Sequence, residues 1–382
     1  MKDAAKFKLK LRASDLNVLL VLVIFAASLY MYASGAFSYP FLENDDPWGH
    51  ASGAKYIAVE KTFAQSDFRL FQYMNPYPPT YDFIFGLMNQ IDPHLQWIMK
   101  FFNALIISLS SVYFYFFAKE FTGNRNKALF ATAVLASIPA YLSHFIWAPA
   151  LAMVMFFPAL YTLEMIKHGK KWKLAAAVAI GGLLVSHPTH TLTLFAMIAA
   201  YLLIKILATK DFKSYFVAGV GGVLTSLVWW GPHGKGFFGA NINTGLAAEA
   251  VQRVQLESGG IIAKLTSGLL KVFNKWSGTA SRPYTFSDFF VAKGQNLINN
   301  PVGIGAVAFA LFMFGLVAAP ILRVKRMSMG KKIGLIAGFL LIMLFTALFK
   351  SQSMLMLIAV YSAIMILILF FTKSWKENDW LF

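Results

Sequence analysis

Three acidic side chains stand almost side by side directly after the first long apolar segment of the chain. They are Glu43, Asp45 and Asp46, and His50 follows them. Carboxylates this close repel one another unless a proton or a cation lies between them. Such a cluster suits Mg²⁺ or Mn²⁺, and one of its carboxylates can instead act as a general base. The simpler interpretation is a solvated turn with a helix start at Pro47.

Other polar groups that could contribute to chemistry are spread over further segments. His187 and His190 have a spacing that can bind a metal, but contact with an anionic headgroup explains them equally well. Asp288 is one of few acids in a basic stretch, where it either caps a helix or adds a carboxylate to a site. The remaining candidates are Tyr77 beside a pair of prolines, His144 and Trp147 on one turn, and Arg282 and Lys293 near Asp288.

The composition indicates what kind of scaffold must hold these groups. Of the 382 residues, 58% are hydrophobic and only 13% are charged, whereas a soluble domain is usually about 25% charged. Apolar runs long enough to cross a hydrocarbon core recur along the whole chain. Cysteine is absent, which excludes disulfides and thiolate metal sites. We therefore predict an all-α integral membrane protein.

The distribution of positive charge predicts the orientation of the chain in the membrane. The net charge is +17, and most of the 34 lysines and arginines fall in short segments at alternate ends of the apolar runs. This positive-inside pattern explains the charge without nucleic acid and makes both termini cytoplasmic. We predict one transmembrane domain, 1–382, in the plasma membrane, with the acidic cluster on the external face. Its ten predicted spans are about 16–37, 95–118, 128–142, 148–167, 172–186, 190–208, 214–230, 301–322, 333–349 and 353–371.

Two long external loops lie between the predicted spans. The first, 38–94, carries the acidic cluster and a short apolar segment, 79–91, which we predict to be an interfacial or re-entrant helix. The second, 231–300, is too long for a simple connection and begins with a glycine-rich stretch typical of mobile chain. It is basic, and its residues 261–276 have the pattern of an amphipathic surface helix.

The polar residues are concentrated on this predicted external face. The sequence contains no nucleotide-binding loop, serine-hydrolase elbow or zinc-protease motif. No charged residue lies in the middle of the first seven predicted spans, whereas ion-coupled transporters usually carry one there. The pattern therefore favours an enzyme that works at the outer surface over a transporter.

The order of these segments resembles the GT-C class of glycosyltransferases, which use polyprenyl-phosphate-linked donors. In that class an acidic motif follows the first helix, and a Tyr-Pro-Pro or Tyr-Pro-Gly element precedes the second crossing. The matching segments here are Glu43-Asn44-Asp45-Asp46-Pro47-Trp48-Gly49-His50 and Tyr77-Pro78-Pro79-Thr80, followed by turns at 117–123 and 139–144. The resemblance implies a GT-C-like fold of about ten transmembrane helices with long external loops.

Within that class the chain is most similar to the catalytic subunit of prokaryotic oligosaccharyltransferase. The resemblance implies an aspartate after the first helix, here Asp45 or Asp46, that binds divalent metal and faces the acceptor. It also implies that Thr285-Phe286-Ser287-Asp288 corresponds to the Thr-Ile-x-Glu motif on that family's mobile loop. Two features of the family are missing: the acidic pair on the turn that holds His144 here, and the Trp-Trp-Asp motif of a soluble C-terminal domain.

These observations predict a membrane glycosyltransferase that moves a sugar or oligosaccharide from a polyprenyl-(pyro)phosphate carrier to a lipid, glycan or protein acceptor. Two alternatives stay open: a transporter or flippase for a lipid-linked sugar, and a non-catalytic membrane subunit. Asp45 and Asp46 are the predicted catalytic residues, and with Asp288 they are the predicted ligands for Mg²⁺ or Mn²⁺. The residues predicted to bind the phosphate or lipid of the donor are His187, His190, Arg282, Lys293 and Tyr77.

Overall fold

The computed structural model of the protein describes residues 13–43, 45–62, 78–138, 145–187, 190–244 and 303–311, and isolated helical positions beyond them. Throughout these ranges the regular structure is helical, and they contain no strand. The prediction of an all-α membrane protein is therefore confirmed for this part of the chain. The predicted amphipathic helix at 261–276 and the last two predicted spans lie almost entirely outside it.

Nine α-helices have defined bounds in the described ranges. Several begin or end at residues with a clear local cause: the αL glycine Gly123 ends one, and the Asn124 side chain accepts two backbone N–H groups at the start of the next. The helices are α1 Ala13–Phe37, α2 Asp45–Glu60, α3 Thr80–Ile91, α4 Leu95–Thr122, α5 Arg125–Ala136, α6 Ala148–Met165, α7 Trp172–Leu184, α8 His190–Thr209 and α9 Phe212–Thr244.

Among the described residues, four helical segments are long and apolar enough to cross a membrane, so the chain is a multi-pass membrane protein. They are Leu16–Phe37, Leu95–Thr122, Ala148–His168 and Phe212–His233. They coincide with the first, second, fourth and seventh predicted spans. Trp172–Leu184 and Leu194–Leu207 are apolar but shorter, and a helix needs about 20 residues to cross a ~30 Å core.

Two helix bounds differ from the prediction. Helix α5 ends at Ala136, short of the predicted residue 142, because the residue before Pro139 is disfavoured in a helical conformation. Helix α9 continues beyond the predicted end at residue 230 to Thr244, through Pro232 and several glycines. Glycine lowers helix propensity by about 1 kcal/mol without excluding a helix, so the glycine-rich stretch was a weak signal for the end of α9.

One end of the helix assembly, which we call the site pole, gathers the predicted external segments. It contains the end of α1, helices α2 and α3, the starts of α4 and α6, and the end of α7. Thr80 Oγ1 donates to the Val185 carbonyl oxygen at 2.7 Å, and Asn103 Nδ2 donates to the Phe145 carbonyl oxygen at 3.2 Å. Trp230 Nε1 of α9 also reaches this pole, donating to the Leu184 carbonyl oxygen at 3.0 Å.

The opposite pole is held by charged side chains. Glu164 is fully buried and lies 2.5 Å from the Lys205 ammonium, also fully buried, and it accepts from the Tyr201 hydroxyl. Glu120 pairs with His168 at 2.9 Å. Pairing offsets the cost of burying each charge. The contacts join the ends of α4, α6 and α8, so these three helices run in the same direction, as the predicted order requires of every second span.

Helices α7 and α9 approach closely because small residues face each other. A Cβ atom on Gly181 would come within 2.7 Å of Thr225, and one on Gly222 within 2.6 Å of the Ile180 Cβ atom. Transmembrane helices use such small residues to bring their backbones together. This contact places the end of α7, and with it Val185, under the start of α3.

Replacing Gly222 with alanine should therefore destabilise the protein. We expect a loss of about 1–3 kcal/mol, because overpacking forces side chains and backbone apart. Thermal unfolding of the detergent-purified protein, followed by tryptophan fluorescence, measures the effect. The control is Val228→Leu on the same helix, since Val228 is 84% exposed and the added carbon points away from the protein. Equal unfolding temperatures for the two variants would contradict the packing described here.

Candidate active site

The acidic cluster lies between α1 and α2, at the site pole. Helix α1 ends at Phe37, and Asp45 and Asp46 form the first turn of α2. The N-terminal turn of a helix stabilises carboxylates through the helix dipole, so this location tolerates their negative charge. Glu43 and Asp46 are half-buried, and Glu43 interacts electrostatically with Lys100 of α4. The side chain of Asp45 lies outside the described part.

A buried histidine–aspartate pair joins α2 to α3. His50 Nδ1 lies 2.6 Å from Asp82 Oδ1, and both side chains are almost completely buried. The backbone N–H of Ala148, at the start of α6, donates to His50 Nε2 at 3.3 Å. Because Nε2 accepts a hydrogen bond, the ring proton is on Nδ1, and the neutral imidazole donates it to the Asp82 carboxylate. The pair therefore connects three helices at the site pole.

The approach of α2 to α3 depends on a glycine. A Cβ atom on Gly53 would collide with the Asp82 carboxyl group, coming within 2.9 Å of its Cγ atom. His50, Gly53, Ala54 and Ile57 form one face of α2, one helical turn apart, and all four are buried. A second close contact, between Gly86 of α3 and Ile57, completes this interface.

The start of α3 is fixed by three consecutive side chains. Thr80 reaches the end of α7, as described above. The Tyr81 hydroxyl donates to Asn103 Oδ1 of α4 at 2.7 Å, and the Tyr81 ring meets the His50 ring edge-on, with 4.8 Å between centroids. The Asp82 carboxylate accepts the hydrogen bond from His50 Nδ1. The Tyr-Pro-Pro element therefore begins a helix whose first residues contact α2, α4 and α7, and α3 corresponds to the predicted interfacial helix at 79–91.

The other predicted site residues are only partly within the described ranges. His187 is buried and follows Val185 at the end of α7, so it lies at the site pole. Trp147 is the N-cap residue of α6, and its ring packs edge-on against Phe145. His190 begins α8, but nothing is described of its side chain. Outside the described ranges are Tyr77, His144, Arg282, Asp288 and Lys293.

The structure adds Asp82 and Asn103 to the site, and the sequence analysis did not assign a role to either. Both are almost completely buried in otherwise apolar surroundings. An aspartate is rarely buried unless it is paired. Asp82 is the only acid inside the short apolar segment 79–91, and this was the signal that could have identified it. Its partner could not be found in this way, because His50 is more than thirty positions away in the sequence.

An open groove of about 720 Å³ lies on the other side of α2. Three of its lining residues, Trp48, Ala51 and Lys55, follow one another on α2 roughly opposite the face that carries His50. Lys100 of α4 contributes a buried ammonium group to it. The other lining residues come from the end of α1 and the turn before α4: Phe37, Tyr39, Pro40, Pro93, His94, Leu95, Gln96 and Trp97.

The described side chains do not form a metal site. No three residues among the histidines, aspartates and glutamates with described side chains converge closely enough to hold an ion. Among these side chains, His50 and Asp82 are hydrogen-bonded to each other. The predicted ligand set cannot be assembled from these side chains, because those of Asp45 and Asp288 are not among them.

Comparison with known proteins identifies a family model that matches part of the chain, and solved structures that resemble it. Residues 76–230 match the family model of dolichyl-phosphate-mannose-protein mannosyltransferases, which belong to the GT-C class, so the resemblance to that class is confirmed. ArnT from Cupriavidus metallidurans, crystallised with undecaprenyl phosphate, is 15% identical, with a TM-score of 0.45 over 96% of this chain and 77% of that chain. No curated protein matches.

Proposed function

We propose that this protein is a membrane glycosyltransferase that takes a sugar from a polyprenyl-phosphate or polyprenyl-pyrophosphate carrier. An acceptor oxygen or nitrogen attacks the anomeric carbon, and the bond from that carbon to the phosphate oxygen breaks. The carrier phosphate leaves with the electron pair, and the acceptor proton passes to a carboxylate. The products are a glycosylated acceptor and the free carrier phosphate.

The match of residues 76–230 to a family of carrier-dependent mannosyltransferases is the observation that carries this proposal. The matched segment contains Asp82 but not the acidic cluster. The contact between Asp82 and His50 ties that segment to α2, the helix that begins with Asp45 and Asp46. The carboxylates therefore belong to the same structural unit as the matched region.

In the proposed reaction Asp45 or Asp46 is the general base. A carboxylate at the start of α2 can accept the proton of an acceptor group, which typically contributes about 10²–10⁴-fold to the rate. Positive charge near the departing phosphate stabilises the transition state. His187 lies at this pole, and His190, Arg282, Lys293 and Tyr77 are proposed to complete the phosphate-binding set.

A divalent cation at Asp45, Asp46 and Asp288 remains a separate proposal, and no step above depends on it. When bound, Mg²⁺ or Mn²⁺ would neutralise charge on the phosphate. The test is transfer activity after treatment with EDTA and dialysis. Loss of activity that Mg²⁺ or Mn²⁺ restores supports the proposal, and full activity in EDTA contradicts it.

The proposal further places the reaction on the external face of the plasma membrane, with both termini in the cytoplasm. The test of the function itself uses membranes that contain the protein and matched membranes that lack it. Both are given polyprenyl-phosphate donors that carry different radiolabelled sugars. We expect protein-dependent movement of label from one donor to a lipid, glycan or protein product. If all label stays on its carrier in both membranes, the proposed function is wrong.

A further inference from the structure

We propose that the groove on the outer side of α2 binds the phosphate headgroup of a membrane lipid. None of the lining residues of this groove belongs to the phosphate-binding set proposed for the sugar donor. The inference goes beyond the proposed function and holds whether or not the protein transfers a sugar.

Two amino groups supply the positive charge of this groove. Lys100 is only 4% exposed, and its ammonium donates to the Tyr39 carbonyl oxygen at 2.5 Å and lies 5.6 Å from the centroid of the Phe37 ring. An ammonium group has three donors, so a ligand in the groove can use those that Tyr39 leaves. Lys55 of α2 also lines the groove and is exposed, and no side chain in the described ranges forms an ion pair with it.

The groove keeps one ammonium group that no described side chain compensates, and this favours an anionic ligand. Glu43 partly compensates Lys100, and His94 is paired with the Asp92 carboxylate at 2.8 Å. Lys55 remains uncompensated by any described residue. A phosphate group offers several strong acceptor oxygens that can meet both lysines at once, and hydrogen bonds between ionised partners are about twice as strong as neutral ones.

The location of the groove indicates a lipid rather than free phosphate. It lies at the site pole, where the membrane-crossing helix α1 ends and the membrane-crossing helix α4 begins. Most of its lining is apolar. Trp48 and Trp97 border it and are 41% and 46% exposed. Tryptophans of this kind mark the level of lipid headgroups in membrane proteins. A ligand at this depth can place its phosphate between the lysines and its chains along the exposed apolar surface of α1 and α4.

Binding of defined lipids to the delipidated, full-length protein tests this proposal. Native mass spectrometry in detergent would measure retention of phosphatidic acid, phosphatidylglycerol and phosphatidylcholine, with inorganic phosphate as a competitor. We expect the anionic lipids to be retained in preference to phosphatidylcholine. Replacing one charged contact, in Lys55→Gln, should weaken their binding by about tenfold. Inorganic phosphate should compete only weakly, because it lacks the apolar chains.

The matched control is Lys61→Gln, since Lys61 is exposed at the end of the same helix but does not line the groove. It should bind lipid like the wild type. Lys100→Gln is a second variant, to be interpreted only if its unfolding temperature is unchanged. The proposal is overturned if Lys55→Gln binds as the control does, if phosphatidylcholine is retained equally, or if inorganic phosphate displaces the lipid at equal concentration.

Discussion

Whichever of Asp45→Asn and Asp46→Asn removes the general base should reduce glycosyl transfer by at least about 100-fold, because an amide cannot accept the acceptor proton. The replacement keeps the size of the side chain. It removes one negative charge from the first turn of α2, where the helix dipole makes a carboxylate worth only about 0.3–1 kcal/mol. The loss of activity should therefore occur with little change in unfolding temperature. Initial transfer rates and thermal unfolding of the purified variant measure the two effects.

The control for this variant is Glu60→Gln, at the other end of α2. Glu60 is exposed, and its replacement should leave both transfer and stability unchanged. Asp45→Asn belongs in the same experiment, because either carboxylate can be the base. Full activity in both aspartate variants would contradict the enzyme hypothesis and favour a transporter of lipid-linked sugars. A wild-type protein without activity would favour a non-catalytic subunit.

Asp82→Ala should lower both stability and activity, although Asp82 is a positioning residue and not a catalytic one. The buried His50 Nδ1–H would lose its acceptor, at a cost of about 1–3 kcal/mol. Helix α2 would then be less firmly held against α3, and Asp46 with it. A displacement of about 1 Å at a reacting group can cost about 100-fold in rate. Thermal unfolding and initial transfer rates, measured on the same preparation, record both changes.

Asp82→Asn separates the hydrogen bond from the charge. Its side-chain oxygen can still accept the proton of His50, so it should recover most of the stability lost in Asp82→Ala. The control is Asp92→Ala, since Asp92 contacts only exposed His94 through its side chain in the described ranges, and exposed pairs contribute little. An Asp82→Ala protein that unfolds at the wild-type temperature would show that the pair does not hold α2 to α3.

The large features of the fold could be predicted because they depend on local composition. The apolar runs at α1, α4 and α6 are long enough to cross a membrane, and the proline pair before Thr80 predicted the start of α3. The alternating basic segments predicted that successive helices run in opposite directions, and the contacts of Glu120 and Glu164 at one pole agree with this.

The contacts of the site could not be predicted in the same way. His50 reaches Asp82 and Ala148 across long stretches of sequence, and no local pattern encodes such a pairing. Lys100 lies near the start of a predicted span, and its acceptor, the Tyr39 carbonyl oxygen, comes from the segment after α1, about sixty positions away in the sequence. The helical extension of α9 was missed for another reason: a glycine-rich stretch has low helix propensity, but the cost per glycine is only about 1 kcal/mol and does not by itself end a helix.

The most direct test of the central claim is the release of carrier phosphate by the purified protein in detergent micelles. The reaction contains a polyprenyl-phosphate-linked sugar and a membrane extract as the source of acceptor, and mass spectrometry quantifies the free polyprenyl phosphate. Micelles have no second leaflet, so transport of the donor cannot produce a signal. We predict that the wild-type protein releases polyprenyl phosphate and that Asp45→Asn or Asp46→Asn, whichever lacks the base, releases at least about 100-fold less. Full recovery of intact donor from the wild-type reaction, as in a reaction without protein, would contradict the claim.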